Sequence, residues 1–156
     1  MRKILTMLGS FGLVASNGFI LSNVVSCGNN FKLPSEPKDL EEAQKLLEEL
    51  TKKSDEFQKK LQEEMKSTNI DDRDEKFPDF AKKSTAAQEM YQYQALTFAY
   101  TSKISYFKNE DKDKIISFIN ELQKQFDKHL KPCATDKTYK NIMSILEWPK
   151  KDPRQK

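Results

Sequence analysis

One histidine, two cysteines and four glycines are all that these 156 residues hold of the residue types on which most recognisable active sites are built. The single histidine, His129, excludes a histidine-rich metal site and is the one imidazole that any nucleophile could use as its base. Glycine excludes more, because Gly9, Gly12 and Gly18 all fall near the N-terminus and only Gly28 follows them. No glycine-rich phosphate loop can be assembled from that. Arg2, Arg73 and Arg154 are the only arginines among 27 basic residues, which argues against bidentate readout of phosphate or bases and so against a nucleic-acid partner. After Cys27 no run of alternating β-branched residues is long enough for a strand.

Charge is abundant but nearly balanced, with 27 Lys+Arg against 24 Asp+Glu. Its distribution is uneven: residues 36–75 carry 14 acids and 8 bases, whereas residues 108–156 carry 12 bases and 8 acids. Helices whose solvated faces complement each other in antiparallel packing account for this, and a basic surface facing anionic lipid is the alternative.

One long apolar run is present, and it begins the chain. Arg2 and Lys3 form a positive n-region, and Ile4 to Val25 follows without a charge, loosened by Gly9, Gly12, Asn17, Gly18 and Asn23. At its end stand Val24, Val25, Ser26 and Cys27, with the aliphatic and small residues of a lipobox set before its cysteine. The stretch MRKILTMLGSFGLVASNGFILSNVVSCGNN resembles the lipoprotein leaders of mollicutes, the wall-less bacteria that include mycoplasmas and spiroplasmas. The resemblance implies that the Cys27 thiol accepts a diacylglyceryl group and that a signal peptidase cuts between Ser26 and Cys27. Residues 1–26 are then a signal peptide, and the domain is expected on the extracellular face of the cell membrane, held by its lipid. An uncleaved signal anchor is the competing reading of the same run. The resemblance covers about the first thirty residues; nothing beyond them resembles a known family.

Residues 27–38, with Pro34 and Pro37, read as a lipidated tether. From Asp39 the pattern is helical. Asp39 and Glu42 have capping-box spacing, and Leu40, Ala43, Leu47, Leu50, Phe57 and Leu61 share a face of a long helix ending near Ser67. The break, residues 68–78, carries Asp71, Asp72, Asp74 and Glu75, but it lacks the glycine and the twelfth-position glutamate of a calcium loop, so no metal site is expected at 71–75. Asp79 is placed to cap a second helix to Phe107 with two apolar faces, one with Phe80, Ala87, Tyr91, Ala95 and Phe98, the other with Ala86, Met90, Tyr93, Tyr100, Ile104 and Phe107. Two apolar faces predict a central helix; alternatively, Tyr93 and Tyr100 stand exposed as anchors for a partner. A third helix from Asn109 or Asp111 has one stripe, Ile115, Ile119, Leu122, Phe126 and Leu130, with His129 at its edge. A short fourth, capped by Thr135 or Asp136, lines up Tyr139, Ile142, Met143 and Leu146.

The expected fold is therefore all-α: a small antiparallel bundle of three long helices and a short C-terminal one over residues 39–149, followed by a frayed polar tail at 150–156. Cys133, beside Pro132, has no intrachain partner once Cys27 is acylated and reads as an inert half-buried thiol. No catalytic constellation and no cofactor are expected. The partners implied are membrane lipid, through acylation, and another protein; a helical lipoprotein binding a small ligand or ion is the alternative.

Overall fold

The computed structural model describes residues 33–155, so the leader, the lipobox and Cys27 lie outside the described residues. Among the described residues the structure is all-helical, without a strand: α1 (Leu40–Thr68), α2 (Phe77–Lys83), α3 (Thr85–Phe107), α4 (Lys112–Leu130), α5 (Asp136–Glu147) and a 3-10 turn at Trp148–Lys150. None of these helices is long and apolar enough to cross a membrane.

Every start but that of α2 is set by a short polar side chain. Asp39 Oδ1 accepts from the Glu42 N–H at 2.8 Å, and the Glu42 carboxylate accepts from the Lys38 N–H at 2.7 Å, one residue beyond the N-cap N–H that a strict capping box uses. Asp111 takes the Asp113 and Lys114 N–H groups to start α4, and Thr135 takes that of Thr138 to start α5. The ends show how a domain without glycine turns. Asn69 and Asn109 adopt left-handed φ values of 53° and 59° after α1 and α3. At each, the next residue bonds back five positions, Ile70 N–H to Met65 O and Glu110 N–H to Ser105 O, both at 3.0 Å. These are Schellman turns with asparagine doing what glycine usually does.

The expected second helix is two. Ser84, extended at φ −81° and ψ 114°, ends α2 and starts α3, its hydroxyl accepting from the Ala87 N–H at 3.1 Å. Asp79 lies inside the first turn of α2 and caps nothing downstream. Periodicity across this junction misleads because α2 and α3 both face the core, so the apolar pattern continues while the backbone changes direction.

Centrality of α3 is confirmed: all but five of its residues are buried, including Gln88, Glu89, Gln92, Gln94 and Lys103. It packs on α1, α2, α4 and α5. The Glu64 carboxylate accepts from Ser84 Oγ, joining the end of α1 to the start of α3. Tyr100 Oη donates to Ser35 O, joining the end of α3 to the start of the described chain. The two helices are thus antiparallel, and the structure has two distinct ends. One holds residues 34–38, the α3–α4 turn and the C-terminal tail; the other holds α2 and the starts of α3 and α5.

Packing on α4 follows the single stripe, with Ile115, Ile119, Leu122, Phe126 and Leu130 its buried residues. Phe98 of α3 meets Phe126 edge-on, ring centres 6.1 Å apart, and Phe118 at 6.4 Å. Phe98→Ala removes this aromatic junction from a close-packed interior and is expected to cost about 3–5 kcal/mol, read as a lowered urea midpoint at unchanged slope.

Candidate functional site

Two features stand out, one at each end. At the first, Lys103 is wholly buried, an unusual state for a lysine, which normally keeps its ammonium in water. Its Nζ donates to Glu36 Oε1 at 2.8 Å and to the Lys151 carbonyl at 2.7 Å, and lies 4.5 Å from the centre of the Trp148 ring. Burial pushes its pKa down, opposed by the Glu36 carboxylate. The neighbouring turn of α3 repeats the arrangement: Tyr100 bonds Ser35 O at 3.3 Å and packs edge-on against Trp148, while Tyr106 Oη donates to Lys150 O at 3.2 Å. One helix face therefore ties both the incoming and the outgoing chain.

This revises two expectations. Pro34 and Pro37 are buried, so the last residues of the stretch expected as a tether are packed on the domain. The tail is not frayed as far as Arg154: Asp152 is buried, pairs with the Arg154 guanidinium at 2.8 Å and has its pKa pushed down to about 2 by it. Arg154 also reaches Asn109 Oδ1 at 2.6 Å. Composition predicted fraying from polarity alone, but backbone carbonyls 150 and 151 are recruited by Tyr106 and Lys103.

Of the residues expected to bind a partner, Tyr100 is 1% exposed and cannot serve as an accessible anchor. Tyr93 is half-buried and stacks on Phe57 of α1, rings 5.5 Å apart and nearly parallel at 13°. Both follow from α1 covering the face that sequence left open to two readings. The lipobox residues Val24, Val25 and Ser26, with Cys27, lie outside the described residues. In the acidic turn, Asp71 is held by Arg73, and no cluster of metal-ligating side chains occurs among the described residues. The Cys133 thiol is buried with its pKa raised by that burial, which suppresses the reactive thiolate.

The opposite end carries a cleft of about 200 Å³. Its α2 and α3 walls supply Lys82, Lys83, Thr85, Gln88 and Gln92. The α5 wall supplies Thr135, Lys137, Thr138 and Asn141. The floor is pinned: Gln88 Nε2 donates to Ala81 O and Cys133 O at 2.8 and 2.9 Å, its Oε1 accepts from the Thr135 N–H at 2.9 Å, and Asn141 Nδ2 donates to Gln92 Oε1 at 2.9 Å. No lining residue is acidic. Sequence reasoning passed over this cleft and Lys103 alike. The available signals were a lysine on the apolar face between Tyr100 and Phe107, and lysines flanking the two helix starts, KKST and TDKT.

The chain matches no protein-family model, no curated protein and no solved structure.

Two predictions follow from buried charge. In Glu36→Gln the Lys103 ammonium stays buried without its carboxylate, and a loss of about 2–4 kcal/mol is expected; in Lys103→Met a similar volume is refilled without charge while Glu36 turns to water, with an expected change within about 1 kcal/mol. Urea denaturation of the two variants should show that order. Glu89 is buried on α3 and desolvation raises its pKa, so the folded state holds its proton to higher pH than the unfolded chain does. Its stabilising contribution is full below the ordinary glutamate pKa and is lost as pH rises through the folded value. Glu89→Gln should therefore melt higher than the native protein at pH 7 and lose that part of the pH dependence, as followed by thermal melts from pH 4 to 8.

Proposed function

We propose that the protein is a lipid-anchored, non-catalytic interaction module on the outer face of a cell membrane, built as a small antiparallel helical bundle. The anchor is a diacylglyceryl group on Cys27, added at the lipobox Val24–Val25–Ser26. The observation that carries the reading is the docking of residues 34–37 on α3 through Tyr100 and Lys103. Cys27 precedes Pro34 by seven residues, a stretch that spans at most about 25 Å. An anchor there keeps the latched end near the bilayer and turns the cleft end outward, since residues 85 and 103 of α3 are separated by about 27 Å along the helix axis. Two acyl chains suffice to hold a domain of this size without a spanning helix.

A second reading, a helical lipoprotein that binds a small ligand, is favoured by the cleft and its pinned floor. The two readings share the anchor and differ in what the outward end engages, a protein or a small molecule.

Anchoring is tested in mollicute cells by labelling with radioactive palmitate and partition into detergent. The native protein should take up label and enter the detergent phase, and Cys27→Ser should do neither. Mass spectrometry that finds an intact Met1 N-terminus and no diacylglyceryl adduct on the native protein would overturn the proposal.

A further inference from the structure

Residues 34–37, Pro-Ser-Glu-Pro, are held differently from the rest of the chain. They belong to no helix, and no backbone–backbone hydrogen bond joins them to the other described residues. Pro34 and Pro37 are buried, while Ser35 and Glu36 between them are exposed, a period of three. That is the period of a polyproline II helix, whose carbonyls are left free for outside donors. The sequence prepares this conformation, because proline fixes its own φ and biases the residue before it, here Leu33 and Glu36, to extended backbone. What holds the segment comes from side chains on one face of α3. Tyr100 Oη donates to the Ser35 carbonyl at 3.3 Å, and Lys103 Nζ donates to Glu36 Oε1 at 2.8 Å. Trp148 completes the site, its ring edge-on to Tyr100 at 5.3 Å and its centre 4.5 Å from the Lys103 ammonium.

Proline pairs at this spacing dock into aromatic-lined grooves as separable ligands, because the preformed polyproline II helix loses little entropy on binding. Here a lysine adds a charge requirement. Lys103 is wholly buried, and a buried ammonium favours a carboxylate opposite it over a neutral side chain. The contacts leave the segment able to depart. Glu36 keeps 37% of its side chain in solvent, and without the segment Lys103 retains the Lys151 carbonyl and the Trp148 ring. We propose that this face of α3 is a recognition groove for an extended acidic peptide with prolines three residues apart, that residues 34–37 are its resident ligand, and that a partner segment of the same pattern takes their place. The proposal rests on the interaction-module reading and names the chemistry of the partner; the lipid anchor stands apart from it and is tested separately by Cys27→Ser.

Trp148 is the only tryptophan in the chain and reports on the groove directly. The experiment follows its fluorescence in the full chain, held in dodecyl maltoside micelles, as the end-capped hexapeptide LPSEPK, a copy of residues 33–38, is added. The native chain should respond weakly, since its own segment competes at the high effective concentration of a short connection. In the variant Pro34→Ser with Pro37→Ser the resident segment loses its preformed shape. Its Trp148 emission should lie to the red of the native protein's, its helical circular dichroism should persist, and the peptide should return the emission saturably. The peptide LPSQPK should bind this variant at least about tenfold more weakly, the difference between a charged and a neutral acceptor for the Lys103 ammonium. Adding Lys103→Met should erase that difference between the two peptides, which the loss of a merely structural lysine would not do. Collapse of the helical signal in the proline variant would make the segment part of the core and overturn the proposal. No saturable response up to about 10 mM peptide, or equal binding of LPSEPK and LPSQPK, would overturn it as well.

Discussion

A helix buried along most of its surface has to find partners for most of the polar side chains it carries, because little of it is left for water. α3 carries many, and the placement of each organises its surroundings. Gln88 joins the end of α2, the turn after α4 and the start of α5 through three hydrogen bonds. Gln92 receives Asn141 from α5, and Lys103 draws together Glu36, the Lys151 carbonyl and Trp148. Thr97 and Ser102 return their hydroxyls to the helix backbone. On α3, Tyr91 Oη and Gln94 Nε2 are buried without a hydrogen-bond partner among the described residues.

These polar contacts fix the arrangement that apolar packing alone leaves loose. Leucine and phenylalanine faces slide at modest cost, whereas a buried amide or ammonium has one low-energy position. The Gln88 and Lys103 clusters sit near opposite ends of α3 and set the two ends of the molecule apart. At one end the chain enters and leaves; at the other the walls of the lysine-rimmed cleft meet. That division follows from where two polar residues fall on one helix.

Scarcity of glycine has its own structural answer. With none after Gly28, the left-handed positions that close α1 and α3 fall to Asn69 and Asn109, the residue type that bears that conformation at the least cost after glycine. Asn109 does more than turn the chain, since its side-chain oxygen accepts from Arg154 and so helps to seat the tail. Asn69 brings Ile70 back over Met65, and both pack against the main core.

The sequence by itself determined the helical class, the starts of α1, α4 and α5 at short polar caps, the single buried stripe of α4 and the central position of α3. These are local matters: a cap acts within three residues, and a periodic stripe needs only the helix that bears it. Tertiary structure alone decided the break at Ser84, where two helices face one core and the apolar pattern runs on regardless. It also decided the fate of Tyr100, which composition allowed outside and α1, Ser35 and Trp148 enclose, and of the tail, whose polarity suggested fraying until Lys103 and Tyr106 took its carbonyls. The cleft belongs with these. Lys82 and Lys137 are more than fifty residues apart, and only the antiparallel course of α3, α4 and α5 brings their helix starts together, because convergence of distant charges is a property of the packing and leaves no period in the chain.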